Sequence, residues 1–121
     1  MNWTAVAVAF GLLILLLFLR QRGRISAAEA RERLKGGALV VDVRTEGEFA
    51  ARHLPGAVNL PLDTIADTLP ARVPDKDKTL LLHCQSGMRS GAAQSKLRAM
   101  GYTNAFNLGS YARAAQIVAG K

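Results

Sequence analysis

The residue with the clearest chemical capacity is Cys84, the one cysteine in the 121-residue chain. It opens the stretch Cys84-Gln85-Ser86-Gly87-Met88-Arg89-Ser90, between an apolar run that reads as a strand and a segment that reads as a helix. A thiol in that place meets the first N–H groups of the helix, which have no intrahelical partners and carry partial positive charge. Gly87 allows a tight backbone turn that aims N–H groups inward, and Ser86, Ser90 and Gly91 are small enough for close approach. Arg89 adds a fixed positive charge. Together these features are expected to lower the thiol pKa from about 8.5 to about 4–7, so that the thiolate dominates at neutral pH. Burial as an inert apolar side chain is the commoner fate of a lone cysteine; the order strand, Cys, Gly, Arg, Ser, helix argues against it. His83, one residue earlier on the strand, points to the opposite face and reads as a packing residue, not a general base.

The elements that must position this loop follow from the pattern around it. Ser26-Ala27-Ala28-Glu29 is a capping-box pattern opening a helix to about Lys35, which Gly36-Gly37 ends. Ala38 to Val43 is apolar and β-branched apart from Asp42 and reads as a buried strand. Glu46 to Ala51 forms a short helical turn, His53-Leu54-Pro55-Gly56 a turn, and Ala57 to Leu60 a short strand. Leu62 to Leu69 reads as helical, and Pro70 to Lys78 as a loop with two prolines. Thr79 to His83 is a second apolar strand that delivers Cys84. Ser90 is expected to cap a helix with Ala93, Leu97 and Met100 on one face, closed by Gly101. Asn104 to Leu108 is a further strand, followed by a helix over 110–119. Strands alternating with helices imply an α/β domain with a largely parallel sheet. In such sheets, sites form at the carboxyl ends of strands, where both Asp42 and Cys84 lie.

The chain divides into an N-terminal segment, 1–20, a basic linker, 21–25, and a domain, 26–121. Residues 3–19 contain one polar side chain, Thr4, and as a helix would be about 26 Å long. With Trp3 at one end and Arg20, Arg22 and Arg24 at the other, the expectation is one transmembrane helix. The charge follows the apolar run instead of preceding it, unlike a signal peptide. The positive-inside rule then puts the domain in the cytoplasm, in keeping with the single cysteine.

Net charge is +7, unevenly spread: residues 78–121 carry six basic side chains and no acidic one. That half contains Cys84, and its field suits a small anionic partner. The basic residues are not interleaved with aromatics, which argues against nucleic acid. One cysteine and two histidines, His53 and His83, argue against a metal site, and nothing calls for a cofactor.

Cys84 to Ser90 resembles the active-site loop of rhodanese-like domains. Val41-Asp42-Val43-Arg44, Glu48-Phe49 and His53-Leu54-Pro55-Gly56-Ala57-Val58-Asn59-Leu60-Pro61 resemble the second signature of that family, and Gly101-Tyr102 and Asn107-Leu108-Gly109 its later part. The resemblance covers about residues 25–120. It implies a parallel sheet flanked by helices and a cysteine that accepts sulfane sulfur as a persulfide. Four residues separate Cys84 from Arg89, where cysteine-dependent phosphatases and arsenate reductases of related fold usually have five; the shorter loop favours sulfur transfer. The expected chemistry is therefore ping-pong transfer from thiosulfate or a similar donor to cyanide or a thiol. Cys84 is the nucleophile, and Gln85, Ser86, Gly87, Met88, Arg89 and Ser90 are the substrate-binding residues.

By the same resemblance Asp42 and Arg44 are supporting residues near the loop, as a buried carboxylate paired with an Arg or with backbone donors. Arg52 stands where the family usually has glycine. Ser110 follows Gly109, and Ala114 stands about where the family has a tryptophan. That loss is expected to open the pocket to a larger donor or to loosen the C-terminus. Two other functions compete: a non-catalytic docking module tethered to a membrane, which has no need of the Cys84–Arg89 combination, and a phosphatase or arsenate reductase.

Overall fold

Four short parallel strands, each followed by a helix, form the domain. The structure, a computed structural model, describes residues 2–120, apart from the side chains of residues 18–22. In chain order the elements are α1 (Trp3–Arg22), α2 (Ala27–Lys35), β1 (Leu39–Asp42), α3 (Glu46–Ala51), β2 (Val58–Asn59), α4 (Ile65–Arg72), β3 (Leu80–His83), α5 (Met88–Ala99), β4 (Ala105–Gly109) and α6 (Tyr111–Val118). The sheet order is β2-β1-β3-β4, with every pairing parallel. The expected α/β class and parallel sheet flanked by helices are found.

The two central strands are apolar because both of their faces are covered. Val41, Leu80, Leu82 and Ala105 join Cys84, Ile65, Leu69, Ala93, Leu97 and Tyr102 in one buried cluster under α4 and α5. Val40, Leu81 and Leu108 join Ile25, Ala30, Tyr111, Ala114 and Ile117 in a second, under α2 and α6. Alternation along each strand divides the residues between the faces. Between β3 and β4 the register slips at Leu82/His83, so that His83 pairs with Gly109. This irregularity falls beside Cys84, the kind of position at which a bulge re-aims the chain.

Several local expectations change. Helix α4 continues through Pro70 to Arg72, because Ile65 and Leu69, one turn apart and fully buried, hold the segment on the core. Helix α5 begins at Met88, with Gly87 as its cap at φ 98°, so Met88 and Arg89 belong to its first turn and Ser90 lies inside it. The glycine, free to adopt positive φ, starts the helix earlier than a serine cap would.

The expectation of a transmembrane helix is also corrected. Among the described residues no helix is long and apolar enough to cross a membrane. The end of the expected span at 18–19, and the arginines at 20 and 22, lie outside the described side chains. The single-pass placement, with the domain assigned to the cytoplasm, falls with that helix.

Tyr102 is fully buried, and its hydroxyl donates to the Val73 carbonyl at 2.7 Å. Tyr102→Phe strands that carbonyl and is expected to cost about 1–2 kcal/mol, read as a lower urea midpoint with an unchanged m-value.

Candidate active site

Strand β3 ends at His83, and the next residue, Cys84, is fully buried on the α5 side of the sheet. Its Sγ accepts a hydrogen bond from Gly87 N–H at 2.9 Å and lies 3.5 Å from the Ser90 hydroxyl. Burial pushes the thiol pKa up. The Ser90 hydroxyl and the backbone N–H groups of Ser90, Gly87 and Ser86 pull it down and prevail, leaving it below the ordinary thiol value. This is the environment of a nucleophilic thiolate.

The loop is fastened at several points. Cys84 N–H donates to the Gly109 carbonyl, and Tyr111 N–H to the Gln85 carbonyl. Ser86 bridges to Ser110, and its hydroxyl accepts from Met88 N–H at 3.5 Å. Gly87 is the tightest point. A Cβ there would meet the Gly109 Cα at 3.2 Å and carbonyl carbon at 3.3 Å, in a backbone already at positive φ. Asn107 supports the loop from β4: Nδ2 donates to the Gly87 carbonyl at 3.1 Å, while Oδ1 accepts from the Ser90 hydroxyl at 2.7 Å and from Gly109 N–H at 2.8 Å. The Met88 side chain is exposed. A groove of about 680 Å³ runs beside the loop, lined in part by Arg24, Ser86, Gly87, Met88, Gln94 and Asn107.

Arg89 does not stand alone. Nη1 and Nη2 donate to the two carboxylate oxygens of Glu48, at 2.7 and 3.0 Å. Glu48 also closes a capping box with Thr45 at the start of α3. Glu48, which engages the Arg89 side chain, and Asn107, which engages Gly87 and Ser90, both lie in the quoted motifs, yet neither was assigned a role there. The Thr45-Glu46-Gly47-Glu48 spacing was a legible signal for a fixed Glu48 carboxylate.

Asp42 and Arg44 form a separate cluster on the opposite face. Both are buried, and Arg44 grips Asp42 through Nε, Nη2 and its backbone N–H at 2.7–3.0 Å. Hydrogen bonding to Asp42 raises the Arg44 pKa further. Arg44 Nη2 also donates to the Arg52 carbonyl, and the Arg44 and Arg52 guanidiniums lie 4.7 and 4.3 Å from the Tyr111 ring centroid. His83 is buried in the same cluster, edge-on to Tyr111 with centroids 5.7 Å apart. Burial pushes its pKa down more than Asp42 pulls it up, so the ring is neutral. Its position away from Sγ fits packing. His53 stacks on Phe49 at 3.9 Å between centroids and is exposed. Ala114 is fully buried in the cluster across the sheet from Cys84, so the missing tryptophan does not open the thiol side. Among the described residues no group of three metal-binding side chains is found.

Two outcomes test this geometry. Ser90→Ala removes a hydroxyl that favours the thiolate, so the midpoint of the pH–rate profile for alkylation by iodoacetamide moves up. Asp42→Ala leaves the Arg44 guanidinium buried and unpaired and is expected to cost about 3–5 kcal/mol in denaturant unfolding; Asp42→Leu with Arg44→Leu costs less.

Comparison with known proteins agrees with this arrangement. The rhodanese-like domain family matches residues 26–113. The thiosulfate sulfurtransferase PspE of Escherichia coli is 38% identical over 69 residues, 57% of this chain and 66% of PspE. The tRNA uridine(34) hydroxylase of Erwinia tasmaniensis is 35% identical over 75 residues, 59% of this chain but 21% of that protein. The chain thus spans just under two thirds of PspE and about a fifth of the hydroxylase. The structure of the human single-domain sulfurtransferase TSTD1 superimposes with a TM-score of 0.66 at 31% identity, covering 76% of this chain and 94% of TSTD1. With the motif loop, the parallel sheet and these relatives in agreement, the chain belongs to the rhodanese-like family.

Proposed function

We propose that this chain is a sulfurtransferase that carries sulfane sulfur as a persulfide on Cys84, with residues 26–121 as the working unit. The observation that carries the reading is the Sγ ringed by N–H and hydroxyl donors in a loop with four residues between Cys84 and Arg89. The Cys84 thiolate attacks the outer sulfur of a donor such as thiosulfate. A new S–S bond forms, the donor's S–S bond breaks, and its electron pair leaves on sulfite. Backbone N–H groups of Ser86, Gly87 and Ser90, which already act on Sγ, stabilise the charge that persists on the terminal persulfide sulfur. Cyanide or a thiolate then attacks that sulfur, and the electron pair of the breaking bond returns to Cys84.

The kinship with PspE and TSTD1 supports this reading. So does the thiol pKa, which the Ser90 hydroxyl and the backbone N–H groups hold below the ordinary thiol value, favouring the nucleophilic form. No second cysteine is present in the chain, so the sulfur goes to another molecule. A docking module would need neither the activated thiol nor its donors, and a phosphatase or arsenate reductase usually has the wider loop.

Incubation with thiosulfate is expected to add the mass of one sulfur atom to the intact protein, and Cys84→Ser to abolish the addition. A phenyl phosphate turned over by a protein that takes no sulfur from any sulfane donor would reverse the assignment.

A further inference from the structure

Arg89, the one basic side chain between residues 84 and 90, would be the natural receptor for an anionic donor, yet both of its terminal nitrogens are engaged by Glu48, at 2.7 and 3.0 Å. Glu48 is held in turn. The Thr45 backbone N–H and hydroxyl each donate to Oε1 at 3.1 Å, and Glu48 N–H donates to the Thr45 hydroxyl at 3.2 Å. The carboxylate is therefore fixed by its own helix start as well as by Arg89. Hydrogen bonds from Arg89, then from Thr45, hold its pKa at about 2, so it is ionised wherever the thiolate is. A permanent negative charge stands at the rim of the loop, about one third exposed, and cancels the positive charge that a multiply charged donor would seek. What remains around Sγ is a set of neutral dipoles: the N–H groups and the Ser90 hydroxyl.

We propose that Glu48 is a specificity-determining residue: by neutralising Arg89 it tunes the site toward sulfane donors of low negative charge and against dianions such as thiosulfate. The proposal rests on the sulfur-transfer reading and narrows its substrate class. Two donors with the same transferable sulfur but different charge test it, thiosulfate as the dianion and benzenethiosulfonate as the monoanion, each with cyanide as acceptor. Glu48→Gln keeps an amide oxygen for Arg89 but releases its charge. The KM for thiosulfate is expected to fall about fivefold, that for benzenethiosulfonate to fall less, and kcat to stay within about twofold. The difference between donors shrinks as salt rises from about 0.02 to 0.5 M, because the interaction is Coulombic and partly exposed.

Glu48→Asp keeps the charge and shortens the reach, so the KM for thiosulfate does not fall. Should Gln and Asp act alike, with KM raised for both donors and no dependence on salt, Glu48 is only a strut for the loop and the proposal is overturned. An unsubstituted protein that takes sulfur from neither donor overturns the sulfur-transfer reading, and the proposal with it. A protein that loads sulfur with equal donor responses overturns the proposal alone.

Discussion

The contact of Gly87 with Gly109 governs the reactive end of this domain. The two backbones approach so closely that a Cβ on Gly87 would lie 3.2 Å from the Gly109 Cα. Both residues have positive φ, 98° and 97°, which costs glycine little and other residues a great deal. Because the backbones touch, Cys84 N–H reaches the Gly109 carbonyl, Asn107 reaches the Gly87 carbonyl, and Gly87 N–H turns back to Sγ. The slip in register at Leu82/His83 sets Gly109 opposite the end of β3. The donors around the sulfur are thus a consequence of how two strands end, fixed before any substrate arrives.

The sheet separates two polar sets that its strand ends bring close in sequence. On the α5 side lie Cys84, Ser90 and Asn107, joined by hydrogen bonds. On the α6 side lie Asp42, Arg44 and His83, with Tyr111 against both Arg44 and His83. Alternation along β3 places His83 and Cys84 on opposite faces although they are neighbours. The Asp42–Arg44 pair holds the turn after β1, from which Thr45 and α3 project, and α3 brings Glu48 to Arg89. The second set therefore acts on the first through the backbone and through Glu48.

Much of this was legible in the sequence, and the exceptions have physical causes. Apolar runs gave the strands, and Ser26 caps α2 by accepting from Glu29 N–H as its spacing suggested. The Cys84 loop and the α/β class followed from motif and alternation. The start of α5 did not, because a left-handed Gly87 caps without a side-chain signal. Pro70 misled because tertiary burial of Leu69 outweighs the lost N–H one turn from a helix end. Glu48 opposite Arg89 joins residues 41 apart in the chain, and no local pattern records such a pairing. The N-terminal apolar run reads from its composition as a membrane span, yet among the described residues no helix is long and apolar enough to cross a membrane.

The thiol is both activated and enclosed, and these properties usually oppose each other. Desolvation alone would leave a buried cysteine protonated and inert; here the inward donors outweigh it and lower the thiol pKa while the residue has no exposed surface. Intrinsic nucleophilicity and collision frequency are thereby uncoupled. The same enclosure that desolvates Sγ also aims the donors at it, so access and activation are set by one stretch of backbone.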